Sequence, residues 1–175
     1  MPGRLFVCGT PIGNLEDATL RLLRILGEVD LIAAEDTRRT RKLLTHHGIR
    51  AKLVSYHQAN ERQQTGRLIQ LLKGGSRIAL VSDGGMPAIS DPGYRLVREA
   101  IAAGVALEVI PGPSAILSAL VASGLPTARF SFEGFLPRGS GEKARRLEAV
   151  SHDDRTLIFF ESPSRVRATL QAMHA

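Results

Sequence analysis

The 175-residue sequence predicts an α/β fold, with a mostly parallel sheet in an N-terminal half and a second, shorter α/β half after it. Three observations predict it. Short, nearly uniform apolar runs recur along the chain, as strands covered on both faces require. Amphipathic stretches separate them, the pattern of strand–helix–strand units in a parallel sheet. Capping side chains, prolines and glycines stand where those helices should begin and stop.

The apolar runs place strands at residues 5–8, 30–34, 52–56, 77–82, 106–110, 130–135 and 156–161. Asn60 and Gln63 predict a capping box for a helix that turns Leu68, Ile69 and Leu72 inward. Asp91-Pro92 and Ser162-Pro163 each set a capping side chain before a proline suited to the first helical position. Val166, Leu170 and Met173, spaced i, i+4 and i+7, predict the buried face of a last helix. Gly104 and Gly124 are expected helix stops. The turn Gly124-Leu125-Pro126-Thr127 predicts a boundary between domains 1–123 and 124–175. A second half with two strands makes a thin sheet whose edges need cover, which implies either a truncated chain or completion by dimerisation.

Hydrophobic residues are 43% and charged residues 23% of the chain, a globular rather than a disordered composition. Cys8 is the sole cysteine, which excludes an internal disulfide framework and a four-cysteine zinc site. His46-His47 has no third ligand at metal spacing, so no metal is expected. No apolar run has the length of a membrane span, and Met1-Pro2-Gly3-Arg4 lacks the layout of a signal peptide. The expectation is a reduced, soluble, cytoplasmic protein without membrane contact. The 23 basic residues exceed the 17 acidic ones, for a net charge of +6. Residues 37–60 hold six of the basic residues and no Asp or Glu. Such a window reads either as a surface for a phosphate backbone or as a solvated helix face. Aromatic residues are 5% and Trp is absent, which argues against an extended base-stacking platform.

In open α/β sheets, ligands bind beyond the carboxyl ends of the strands. Three loops there are rich in glycine and proline: Gly9-Thr10-Pro11-Ile12-Gly13-Asn14, the segment 83–93, and Pro111-Gly112-Pro113-Ser114. Their backbones can approach a ligand closely, and together they predict a small-molecule pocket. It is not a dinucleotide fingerprint, because the first loop reads G-x-x-x-G rather than G-x-G-x-x-G, and no G-K-[ST] phosphate loop follows.

The motifs Gly9-Thr10-Pro11-Ile12-Gly13-Asn14-Leu15, Ala34-Glu35-Asp36-Thr37-Arg38, Ser55-Tyr56-His57, Ser90-Asp91-Pro92-Gly93-Tyr94, Pro111-Gly112-Pro113-Ser114-Ala115, Gly134-Phe135-Leu136-Pro137-Arg138 and Phe160-Glu161-Ser162-Pro163 follow one another in order over nearly the whole chain. Together they resemble the tetrapyrrole methylase superfamily, and within it the bacterial methyltransferases of a cytidine ribose 2′-hydroxyl in small-subunit ribosomal RNA. The resemblance implies a tetrapyrrole-methylase-like fold, a homodimer, and S-adenosylmethionine as methyl donor in a cleft between two α/β halves. It implies a donor pocket of Pro11, Asp83, Gly85, Met86, Pro87, Ser114 and Ala115, with Phe160 from the second half. The family usually reads Asp-Ala-Gly-Thr-Pro-Gly where this chain has Asp83-Gly84-Gly85-Met86-Pro87-Ala88, so a thioether replaces a hydroxyl. The family also continues past Ala175.

Methyl transfer to a hydroxyl needs in-line positioning and a group to take the proton. Glu35, Asp36 and Glu161 are the acidic candidates, and His57 is a further one. For Asp36 the favoured reading is the cap of the following helix or a partner of Arg38 or Arg39. Asp83 has a second reading as the cap of its glycine-rich turn. Arg38, Arg39, Arg41 and Lys42 are the expected RNA contacts. Arg138, Lys143, Arg145 and Arg146 are diluted by Glu142 and Glu148. Two other functions fit the same residues: methylation of a tetrapyrrole-like small molecule, and RNA binding without catalysis.

Overall fold

The computed structural model describes residues 3–174 and bears out the α/β fold. Residues up to Ala115 form one compact unit and those from Ile116 a second. This division falls at the near end of a helix, whereas the boundary expected at residue 124 falls at its far end.

The first unit runs β1 (Arg4–Cys8), α1 (Leu20–Glu28), β2 (Leu31–Ala34), α2 (Thr37–His46), β3 (Leu53–Ser55), α3 (Glu61–Lys73), β4 (Arg77–Val81), α4 (Tyr94–Ala102), β5 (Ala106–Ile110). The strands pair in the order β3-β2-β4-β1-β5, and every pairing is parallel. Alternation along the strands explains the uniform apolar runs. Phe6, Cys8, Ile32, Ala34, Ala79 and Val81 pack under α1 and α2 on one face. Leu5, Val7, Ala33, Ile78 and Leu80 pack under α3 and α4 on the other. Burial pushes the Cys8 thiol up to about 12, so it is a small core residue and no nucleophile.

The crossovers after β1 and β2 lie on one face, and those after β3 and β4 on the other. Neighbouring strands β1 and β4 therefore send their next connections to opposite sides, which is the switch point where such sheets hold ligands.

The second unit runs α5 (Ala115–Ser123), β6 (Phe130–Phe135), α6 (Ser140–Val150), β7 (Thr156–Phe160), α7 (Val166–His174). β6 and β7 form a parallel pair with an irregularity between Phe132 and Gly134. All seven expected strands are met to within one residue at either end.

The helix starts are less well anticipated. Asn60 does hold the N-cap position of α3, but its side chain makes no capping bond there. It accepts from the His57 N–H at 2.9 Å and donates to the Ser55 carbonyl at 3.1 Å, tying the preceding turn instead. α4 begins at Tyr94 behind Gly93, two residues beyond the proline expected to open it, because Asp91 bonds Ser82 rather than the helix. α7 begins at Val166, and residues 163–165 are a turn closed by Ser162 O. The expected apolar face of α7 is exposed: Leu170 is 60% accessible and Met173 41%. The buried line is rotated to Thr169, whose hydroxyl donates to Glu161 Oε2 at 2.7 Å and accepts from the buried Lys143 Nζ at 3.0 Å. Polar satisfaction, not apolar periodicity, orients this helix.

Gly9→Ala is expected to cost about 1–3 kcal/mol in urea unfolding, because its Cβ would stand 2.7 Å from Met86 Sδ and 2.8 Å from Gly112 N. Gly27→Ala, in α1 with nothing within 4 Å, is expected to stabilise by about 0.5–1 kcal/mol.

Candidate functional site

The glycine-rich loops after β1, β4 and β5 are joined to one another. Thr10 and Gly85 exchange both backbone hydrogen bonds, at 3.0 and 2.9 Å. The Thr10 hydroxyl donates to Ser82 O at 3.2 Å, at the end of β4. Gly9 lies so close to Gly112 that a Cβ on Gly112 would sit 2.6 Å from Gly9 O. Gly85 has φ +81°, a conformation that side chains resist. The Met86 side chain packs on the α3–α4 side of the core, with its sulfur against Gly9. The expected donor residues Pro11, Gly85, Met86, Pro87, Ser114 and Ala115 thus belong to one cluster of loops. Phe160 belongs to the second unit, where its ring lies 4.7 Å from Phe132 and 5.5 Å from Phe135.

Asp83 is oriented by the neighbouring strand end. Its Oδ1 accepts from Asp36 N at 3.0 Å, its Oδ2 pairs with Arg39 Nε at 3.5 Å, and its own N–H donates to Glu35 Oε2 at 3.2 Å. Its carboxylate therefore ties the β4 loop to α2.

The acidic candidates differ in what engages them. Asp36 caps α2, accepting from Arg38 N at 2.8 Å and from the Arg38 guanidinium at 3.0 and 2.7 Å. That side-chain pairing, with the cap bond behind it, holds its carboxyl far below the usual range. Glu161 is engaged by Thr169, by Ser162 N and by Arg165, and is likewise held low, first through Thr169. Glu35 differs. It lines a cavity of about 340 Å³, and burial pushes its carboxyl up, with Asp91 and Asp83 adding to the rise. Sequence reasoning missed Asp91 as a partner of Glu35. Asp91 is itself raised by burial and lines the same cavity. Only the doubly wound topology brings these positions together.

The window 37–60 contains no acid in sequence, yet acids flank it in space. Arg38 pairs with Asp36 and Arg39 with Asp83. The unneutralised charge of α2 rests on Arg41 and Lys42, which line an open hollow of about 620 Å³ with Arg38, Thr45 and His46. No helix among the described residues is long and apolar enough to cross a membrane.

A doubly wound parallel sheet with its glycine loops gathered at the switch point defines a class of α/β ligand-binding enzyme. The chain belongs to the tetrapyrrole (corrin/porphyrin) methylases, which it matches over residues 4–175. It is 50% identical over 97% of its length to the ribosomal RNA small subunit methyltransferase I of Thermotoga maritima, of which it covers 76%. It is 56% identical over 98% of its length to the protein of that name from Halalkalibacterium halodurans, and spans 59% of that relative. The solved methyltransferase CobJ shares the fold with a TM-score of 0.70 at 19% identity, covering 98% of this chain and 75% of its own.

Asp36, with its lowered carboxyl, contributes stability above its unfolded pKa, and that contribution fades as pH falls through the folded value. Asp36→Ala is therefore expected to unfold at lower urea than the parent at neutral pH. The gap narrows as pH drops below about 4. A gap that widens with acid contradicts the assigned cap.

Proposed function

We propose that the chain is the donor- and RNA-binding part of a methyltransferase that uses S-adenosylmethionine to methylate a cytidine ribose 2′-hydroxyl in small-subunit ribosomal RNA. In this reading it acts in the cytoplasm as a homodimer. The observation that carries this reading is the mutual fastening of the loops after β1, β4 and β5, in a chain whose close relatives bear the ribosomal RNA methyltransferase name. S-adenosylmethionine supplies an electrophilic methyl group on a sulfonium. The residues present fit such a group: the close packing of Gly9 on Gly112 and the Thr10–Gly85 hydrogen bonds draw the three loops into one surface against which a ligand can lie. A recess of only about 60 Å³ lies beside Pro11, Ser82 and Asp83, so a nucleoside donor must lie across the loops rather than beneath them. Pro11, Gly85, Met86, Pro87, Ser114 and Ala115 hold it, and Asp83 secures the loop from behind.

The chain's own chemical task is to position the hydroxyl and take its proton. Glu35 is the base in this reading. It faces a cavity and carries a carboxyl raised by burial, whereas Asp36 and Glu161 are engaged in bonds to cationic groups. Arg41 and Lys42 contact RNA phosphates, with Arg38 and Arg39 beside them held on acids.

Calorimetry with S-adenosylmethionine and transfer of labelled methyl to small ribosomal subunits test the proposal. Absence of donor binding, or transfer to a tetrapyrrole and not to the subunit, refutes it. Arg41→Glu is expected to lower transfer about tenfold or more while donor affinity stays unchanged, since a phosphate contact serves RNA alone. Equal loss of both contradicts the assignment.

The pH profile follows from the sign of the Glu35 shift. A base works deprotonated, so kcat/KM should rise with pH through a limb above the ordinary glutamate value of about 4.3. Burial pushes this limb up, with the Asp91 and Asp83 charges adding to it, and the Asp83 N–H bond and Arg39 pull it down; Glu61, Arg95 and Arg98 share the cavity. Asp91→Asn is expected to move the limb to lower pH, and Glu35→Gln to remove it.

A further inference from the structure

The cavity that holds Glu35 has walls that proton transfer does not explain. Tyr94 stands at its edge, 67% exposed although it is a large aromatic side chain. The Arg98 guanidinium lies 5.9 Å from the centre of the Tyr94 ring. Arg95 also lines the cavity and makes long ion pairs with Glu61 and Glu99, at 3.9 and 3.8 Å. Its Nε is buried and has no hydrogen-bond partner.

The loop that presents these residues is held in an unfavourable shape. Ala88 and Ser90 adopt φ +70° and +60°, and Gly93 adopts +136°. A Cβ on Gly93 would stand 3.0 Å from Leu80 Cδ2 and 3.2 Å from Ala88 N. Left-handed backbone at non-glycine residues persists only where the surroundings enforce it. The shape therefore fixes Tyr94 and the first turn of α4 against the cavity.

The lining combines an aromatic face, guanidinium groups and a carboxylate floor. A nucleotide presents the matching set: a base to stack, a phosphate to pair and a ribose hydroxyl to deprotonate. A volume of about 340 Å³ suits one nucleotide, being near the lower end for ligand pockets of about 300–1,000 Å³.

We propose that this cavity receives the single unpaired nucleotide whose ribose is methylated, with Tyr94 stacking on its base and Arg95 and Arg98 holding its phosphates. The inference rests on the RNA methyltransferase reading above and adds to it the place of the acceptor. Recognition thus needs one splayed-out base and no aromatic platform.

Tyrosine fluorescence isolates the cavity, because the chain has two tyrosines and no Trp, and Tyr56 is 1% exposed. Titrating a short single-stranded cytidine-containing RNA into the protein, without donor, is expected to quench the signal. Tyr94→Phe removes the quench. Tyr94→Ala lowers kcat/KM for small ribosomal subunits about tenfold or more, with donor affinity unchanged. Arg98→Ala weakens the RNA titration and steepens no part of the donor titration. The cavity proposal is overturned if Tyr94→Phe quenches as the parent does, or if Tyr94→Ala transfers methyl at the parent rate. RNA quenching through Tyr94 without any donor binding instead supports the cavity while refuting the methyltransferase reading.

Discussion

The reciprocal backbone bonding of Thr10 and Gly85 is the constraint on which the rest of the site depends. It fastens the loop after β1 to the loop after β4, across the place where the sheet's connections diverge to opposite faces. Gly112 then presses against Gly9 with no room for a side chain, bringing in the loop after β5. Three separate stretches of sequence become one surface through main-chain contacts. Such a surface tolerates varied side chains as long as its glycines are kept. Met86 shows this, since its thioether is turned into the core and leaves only its backbone to the cluster.

A second fastening links that surface to the basic helix. Asp83 accepts from Asp36 N and pairs with Arg39, while its own N–H donates to Glu35. Glu35 is thereby held at the cavity, and α2 starts from a fixed point. Positive charge on α2 is distributed unevenly as a result. The residues nearest its start are matched by acids, and those a turn later face solvent.

The strands were legible in the sequence because burial on both faces leaves a plain signal: unbroken apolar runs such as those of β1 and β4. The helix starts were less so. Asn60 and Asp91 are ordinary capping residues, but each spends its side chain on a neighbouring turn or strand end, a choice that local spacing does not encode. In α7 the apolar spacing was real, yet the Lys143–Thr169–Glu161 network decided which side faces inward. At the site, the loops could be named from their glycines. That Glu35 and Asp91 line one cavity could not, because strand order alone brings them to it. The acid-free window misled in the same way: Asp36 and Asp83 lie outside it in sequence and against it in space.

The strand order also governs how the chain can mature during synthesis. β1 precedes the other strands of its sheet in synthesis but lies between β4 and β5, whose last residue is Ile110. Until β4 has cleared the exit tunnel the first strand has neither neighbour, and until Ile110 has cleared it one edge stays unpaired. Closure of the sheet therefore waits on distant pairings, which makes it slow relative to helix formation. The glycine-rich loops, which hang from β1, β4 and β5, are consequently among the last features of the first unit to acquire shape.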